Sequence, residues 1–269
     1  MEIRDTGAED LEEVIRLTSA TRRQLAAWSP VYFRPREGAD AAHAQFLEFV
    51  IGSPDHQASV FVIDGSVVGF FRQSDLSKHV WVDDLCLRDP GLWNDAARLL
   101  IDSLEAISWV TCVSPYDAER VEALTSSGLA PISTYWSKSL PSSPSTPEVE
   151  GAYGVPEHRP AGPAHTFGGV AFDPATPGAL VACDLDGNYA IGSPSVEPPI
   201  YDPGGPTCVV DQLGGPDRGV ALDLAQSVAA ARGDLQLVVV SASDDEELRY
   251  KLEAKNLQIQ IVLLAWQRP

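Results

Sequence analysis

The stretch GGPDRGVALDLAQSV, from Gly214 to Val228, decides how the chain is read. Two glycines and a proline make a tight turn, and an apolar helical pattern follows at once. Its Arg218-Gly219-Val220-Ala221 core suits a loop that brings a phosphate against backbone N–H groups. The first turn of a helix leaves its N–H groups unpaired and carries the positive end of the dipole, and small residues allow close approach. The same residues also suit a plain strand-to-helix turn capped by Asp217. An earlier frame, VDDLCL (Val82 to Leu87) followed by DPGLWNDAARLLIDSL from Asp89, has a similar shape. Its turn is read at Asn94-Asp95-Ala96-Ala97, where an ionised Asp95 would repel a phosphate.

Working outward, the elements around the two turns repeat. In the second half, a hairpin centred on Asp186-Gly187 is followed by a strand over 206–213 and the helix from Arg218. A strand over 235–243, a helix over 244–256 and a last strand over 257–268 complete it. The first half shows a hairpin at Asp64-Gly65, a strand over 79–89, a helix from Trp93, a strand over 108–115, a helix ended by Gly128 and a strand over 133–140. Turn dipeptides between alternating apolar runs mark the hairpins, and apolar residues at helical spacing mark the helices. The first half adds a leading strand at 1–7 and two helices, over 8–28 and 40–53. In the second half only HTFGGVAF, from His165, suggests a leading strand. A period of about a hundred residues means duplicated domains rather than a solenoid.

Between the copies, PSSPSTPEVEGAYGVPEHRPAGPA is rich in Pro, Ser and Gly and shows no apolar period, which is linker composition. The chain is therefore divided into 1–140, a linker over 141–163, and 164–269. Its 269 residues exceed the usual size of one compact domain. Both copies are acidic, and the formal net charge is -19. Such a charge argues against nucleic-acid binding and suits either a solvated surface or the steering of a cationic substrate. Four cysteines without C-x-x-C spacing fit free thiols in a reducing cytoplasm. Five scattered histidines give no metal spacing. No apolar run is long enough for a membrane span, and the polar, acidic N-terminus is no signal peptide.

The element order, together with VVGFF, VDDLCL, RGVAL and EALTSSGL, resembles the GNAT family of N-acetyltransferases. The chain is similar to a tandem of two such domains. The resemblance implies an α/β (α+β) fold in which each domain is a mixed, mostly antiparallel sheet flanked by helices. It implies acetyl-coenzyme A as cofactor, with its pyrophosphate against the turn at Arg218, Gly219, Val220 and Ala221. Val210 and Leu213 on the preceding strand would line the same cofactor. The family pattern Q/R-x-x-G-x-G/A departs here at its leading position, which falls on Pro216. By this reading the C-terminal copy keeps more of the cofactor site and the N-terminal copy is degenerate, while the small Ala96 and Ala97 leave the opposite assignment open.

Transfer to an amine needs a base, and a thioester carbonyl needs a hydrogen-bond donor. Asp211 is the carboxylate on the strand where the resemblance puts the thioester, so it is the candidate base; the alternative is that it faces solvent or a helix end. Asp83 and Asp84 sit on the matching strand of the first half. The family's tyrosine acid has no counterpart, because Leu124 and Leu252 stand at its position and Tyr250 points elsewhere round the helix. Trp28, Tyr32 and Phe33, in LAAWSPVYFRPR, fall where the family lines its acceptor site, and Asp84 is grouped with them; packing of that loop is the alternative. The expectation is an acetyltransferase acting on a small amine or a peptide amino group, with no metal, nucleic acid or membrane involved. A non-catalytic scaffold of two degenerate domains, and a related acyl-coenzyme A reaction, stay open.

Overall fold

The computed structural model describes residues 1–53, 56–76, 79–103, 108–141, 179–195, 200–202 and 204–267. The linker over 141–163, apart from Pro141, and the strand expected from His165 lie outside these residues. The chain forms two compact units. Unit 1 comprises Met1–Pro131, Pro198–Asp202 and Ile261–Pro269, and unit 2 comprises Ile132–Glu197 and Pro203–Gln260.

Unit 1 opens with β1 (Glu2–Asp5), α1 (Leu11–Trp28) and α2 (Ala39–Gly52). Asp10 accepts the Gly7 N–H at 2.9 Å ahead of α1, a carboxylate at the positive end of the helix dipole. Val14, Leu17 and Thr18 turn the buried face of α1 inward. β2 (Gln57–Ile63) and β3 (Ser66–Leu76) form the first expected hairpin. Asp64 and Gly65 both have positive φ, +49° and +76°, as a two-residue hairpin turn requires. Then follow β4 (His79–Leu87), α3 (Trp93–Ser103), β5 (Ser108–Val113) and α4 (Ala118–Ser126). The strands run antiparallel from β1 to β4, and β4 is parallel to β5.

Unit 2 has the same plan. β7 (Leu180–Cys183) and β8 (Tyr189–Pro194) make the second hairpin, followed by β9 (Thr207–Gly214), α5 (Arg218–Arg232), β10 (Gln236–Ala242) and α6 (Glu246–Ala254). β7, β8 and β9 are antiparallel neighbours, and β9 is parallel to β10. Leu222, Ala225 and Ala229 bury one face of α5, and Gly233, at φ +87°, ends it. Gly128 after α4 and Asn256 after α6 take the same left-handed position, at φ +99° and +61°.

The last strands are exchanged. β6 (Ala130–Ser139) follows α4 in sequence but pairs antiparallel with β10, through Ser133 to Ser139, inside unit 2. β11 (Gln258–Gln267) follows α6, yet Val262 to Gln267 pair antiparallel with β5 inside unit 1. Trp266 and Leu264 of β11 lie in the core of unit 1 with Trp109 and Leu124, and Trp136 of β6 lies in the core of unit 2 with Val239 and Leu252. The compact units are therefore not the two halves of the sequence. The strand pairing within each unit is mixed and mostly antiparallel, as expected of the fold class.

Candidate active site

In each unit the two parallel strands part company partway along. In unit 2 the pairing of β9 with β10 stops at Val210–Val239, while β10 continues to Ala242 against β6. In unit 1 the pairing of β4 with β5 stops at Val82–Thr111, while β5 continues to Val113 against β11. The first residue beyond the split is an aspartate in both units, Asp83 in one and Asp211 in the other.

Asp211 is the extra residue of a β-bulge. Ile191 pairs with Gln212 and Gly192 with Val210, which leaves Asp211 without a cross-strand partner. A Cβ on Gly192 would come within 2.4 Å of the Val209 carbonyl oxygen, so this close approach needs glycine. The Asp211 carboxyl is half-buried, and burial pushes it up to about 6. Beside it, the Gln212 Oε1 is buried without a hydrogen-bond partner among the described residues. Such an orphaned acceptor calls for an N–H or O–H donor from a ligand or water.

The turn ahead of α5 is built as an anion cradle and holds a carboxylate of its own. Asp217 is the N-cap, and its Oδ1 accepts the Gly219 N–H at 2.8 Å. Lys251 of α6 reaches the same oxygen at 2.8 Å. The Lys251 ammonium and the turn N–H groups hold the Asp217 carboxyl below the usual range. Arg218 points away, into Asp245 at 2.5 Å and Glu247 at 3.0 Å. Of the other expected cofactor residues, Val210 and Ala221 are fully buried, Leu213 is half-buried, and Val220 is exposed.

Unit 1 has a matching turn, at a different place from the expected one. Asn94 and Asp95 lie inside the first turn of α3, and Asp95 faces solvent, 3.9 Å from Arg98. The equivalent of Asp217 is Asp89, whose Oδ1 accepts the Gly91 N–H at 2.9 Å. Asp89-Pro90-Gly91-Leu92-Trp93 thus corresponds to Asp217-Arg218-Gly219-Val220-Ala221. The repeated Asp-x-Gly was the signal in the sequence for this alignment, and Arg88 and Gly91 stand at the first and fourth positions of the family pattern.

The expected acceptor-site residues all belong to unit 1. Trp28 closes α1 and is half-buried. Phe33 is buried between Tyr32 and Tyr201, with ring centroids 4.8 and 5.5 Å away. Tyr201 comes from a segment that bridges to Pro35, and burial raises its phenol to about 12. Asp84 has a left-handed backbone, φ +51°, at the bulge of β4. It meets His43 Nε2 at 3.7 Å and Arg72 Nε at 3.5 Å. Burial would raise its carboxyl, and the His43 ring and Arg72 guanidinium outweigh that and hold it low. Arg22 Nη1 lies 2.6 Å from His43 Nδ1. A guanidinium only donates, so Nδ1 accepts and the ring proton sits on Nε2, facing Asp84. Arg72 also binds Asp83 at 2.5 Å, and Arg22 binds Asp40. Sequence spacing gave no sign of this network, because its members lie on α1, α2, β3 and β4. The candidate base Asp211 and these aromatic residues therefore belong to different units.

Neither unit supplies a tyrosine at the expected place: Leu124 and Leu252 are fully buried, and Tyr250 is largely exposed. Burial raises the Cys86 and Cys208 thiols to about 12, beyond easy reactivity. Among the described residues no group of three or more His, Cys, Asp or Glu side chains is placed to hold a metal ion. None of the described helices is long and apolar enough to cross a membrane.

No family model and no curated protein sequence matches the chain. Solved structures do. A Thermoplasma acidophilum protein assigned to the acetyltransferases is 10% identical, with a TM-score of 0.54 over 100% of both chains. A GCN5-related N-acetyltransferase from Sphaerobacter thermophilus is 16% identical, with a TM-score of 0.50 over 99% of this chain and 96% of its own. A tandem GNAT protein from the clavulanic acid biosynthesis pathway is 17% identical over 100% of this chain and 99% of its own, with a TM-score of 0.44. At such identities the likeness fixes the fold and leaves the activity to the site: this chain has the fold of the GCN5-related N-acetyltransferases.

Proposed function

We propose that the chain is an acetyl-coenzyme A-dependent N-acetyltransferase, with the cofactor held by unit 2 and Asp211 as the base. The observation that carries this reading is Asp211 itself: a carboxylate at the strand split, without a cross-strand partner among the described residues and pushed up to about 6. A base near neutrality suits proton removal from an amine.

The residues present fit the cofactor. The orphaned Gln212 Oε1 offers an acceptor to an amide N–H of its arm, and the side chain at position 221 is only a methyl group. Asp217 is an internal stand-in for the anion, showing that the Gly219 N–H and the Lys251 ammonium converge on negative charge. Bound there, acetyl-coenzyme A would supply an acetyl group activated as a thioester. Asp211 takes a proton from the acceptor ammonium, directly or through one water, leaving the nitrogen lone pair free. Backbone N–H groups of β9 beyond Val210, released from β10, are the donors available to a carbonyl oxygen. The acceptor is a small amine or a peptide amino group, and the net charge of -19 draws a cation inward. We place the protein in the cytoplasm, where buried thiols such as Cys86 and Cys208 stay reduced.

A second reading, a ligand-binding scaffold without catalysis, is favoured by the absence of the tyrosine acid and by the Asp217 cap. Calorimetry with acetyl-coenzyme A separates the two. Binding should occur, Gly219→Glu should abolish it, and Asp95→Ala should leave it unchanged. A folded wild-type protein that binds no acyl-coenzyme A would leave the scaffold standing.

A further inference from the structure

The split in unit 1 is filled from within. Arg120 of α4 is buried, and its Nη2 donates to the Cys112 carbonyl at 2.8 Å, one residue past the last β4–β5 pair. Its guanidinium lies over the Trp93 ring, 5.2 Å from the centroid. Burial raises Asp83 and Cys86 on β4 and Cys112 on β5, and the Arg120 charge opposes that rise at all three. The Arg120 Nε is buried without a partner among the described residues, a cost that a plain packing site would avoid. Trp93 itself is part of the unit 1 core.

Unit 2 has small or apolar residues at both places. Trp93 corresponds to Ala221 by the matched Asp-x-Gly caps. Arg120 corresponds to Leu248, because each is the third residue of its helix and each main-chain N–H is bonded by the N-cap carboxylate, Asp117 or Asp245. A methyl and an isobutyl group stand where unit 1 has an indole and a guanidinium.

We infer that Trp93 and Arg120 form an internal plug. They occupy in unit 1 the room that the cofactor's thioester arm takes in unit 2, so the chain binds one coenzyme A. The inference rests on the assignment of the cofactor to unit 2, and the test separates the two.

Coenzyme A is titrated into wild type and into Trp93→Ala/Arg120→Leu, which copies the unit 2 residues. Hydrogen exchange then locates each bound equivalent. Wild type should take one equivalent and gain protection over 210–221, not over 82–93. The double variant should take two and gain protection over both. Two equivalents in wild type, or one at 210–221 in a folded double variant, overturns the plug. If wild type takes none and the double variant takes one at 82–93, the plug stands and the assignment to unit 2 falls. Should the double variant fail to fold, wild-type exchange decides: protection over 82–93 overturns the plug, and protection over 210–221 alone supports it. No binding by either protein overturns both.

Discussion

Asp211 carries two opposing consequences at the scale of one residue. Its carboxyl rises from the ordinary 3.8 to about 6 because folding strips it of water. The folded protein thus holds this proton more tightly than the unfolded chain. Below about pH 3 the group is neutral in both states and costs nothing. As pH rises from about 4 to 6 the unfolded chain ionises this carboxyl while the folded protein still holds its proton, and about 2–3 kcal/mol of stability is lost. Activity runs the other way, because only the ionised form accepts a proton. Asp211→Asn should lower kcat by roughly 10²–10⁴ and remove the rise in rate near pH 6. The same variant should be about 2–3 kcal/mol more stable than wild type at pH 8 and equally stable at about pH 3, as denaturant titrations would show. Equal stability at both pH values would mean that Asp211 is well solvated. This residue was legible in the sequence because it sits alone on its strand. His43, Arg22 and Arg72 were not, because only the packing of α1 and α2 against β3 and β4 brings them to Asp84.

At the scale of the element, the two strand-to-helix turns show one design with two outcomes. Each ends in an aspartate that accepts the N–H of a glycine two residues on, at 2.9 Å in unit 1 and 2.8 Å in unit 2. The hairpins, the helix stops and the strand order followed from turn residues and periodicity. The position of the first turn did not, because Asn94 and Asp95 also suit a helix start, and a cap is decided by backbone geometry that residue type only biases. The cap has a consequence for binding. A phosphate approaching the Gly219 N–H must displace the Asp217 carboxylate and share Lys251 with it. Asn also caps helices well but carries no charge. Asp217→Asn should therefore tighten coenzyme A binding roughly two- to fivefold, most clearly at low ionic strength. Weaker binding in that variant would mean that Asp217 orders the turn for the phosphate rather than competing with it.

Across the whole molecule, the exchange of last strands ties each unit to a distant part of the chain. No local signal in STYWSKSL or LQIQIVLLAWQR says which unit the strand joins, since each carries a buried tryptophan among strand-forming residues and each pairs antiparallel, with β10 or with β5. The choice is made by the cores: Trp266 packs with Trp109 and Leu124, and Trp136 donates its indole N–H to Ser241 Oγ at 2.9 Å. Removing residues 258–269 should therefore unfold unit 1, although those residues follow a helix of unit 2. β5 would lose its antiparallel partner, and the core would lose Leu264 and Trp266. A milder version is Trp266→Ala, which should cost about 3–5 kcal/mol, the usual range for a large buried side chain. Hydrogen exchange identifies the unit affected. Protection should fall first over 108–113, while 236–242, paired with β6, keeps its own. Loss confined to 236–260, with 108–113 unchanged, would show that β11 serves the unit it follows in sequence and that the strands are not exchanged.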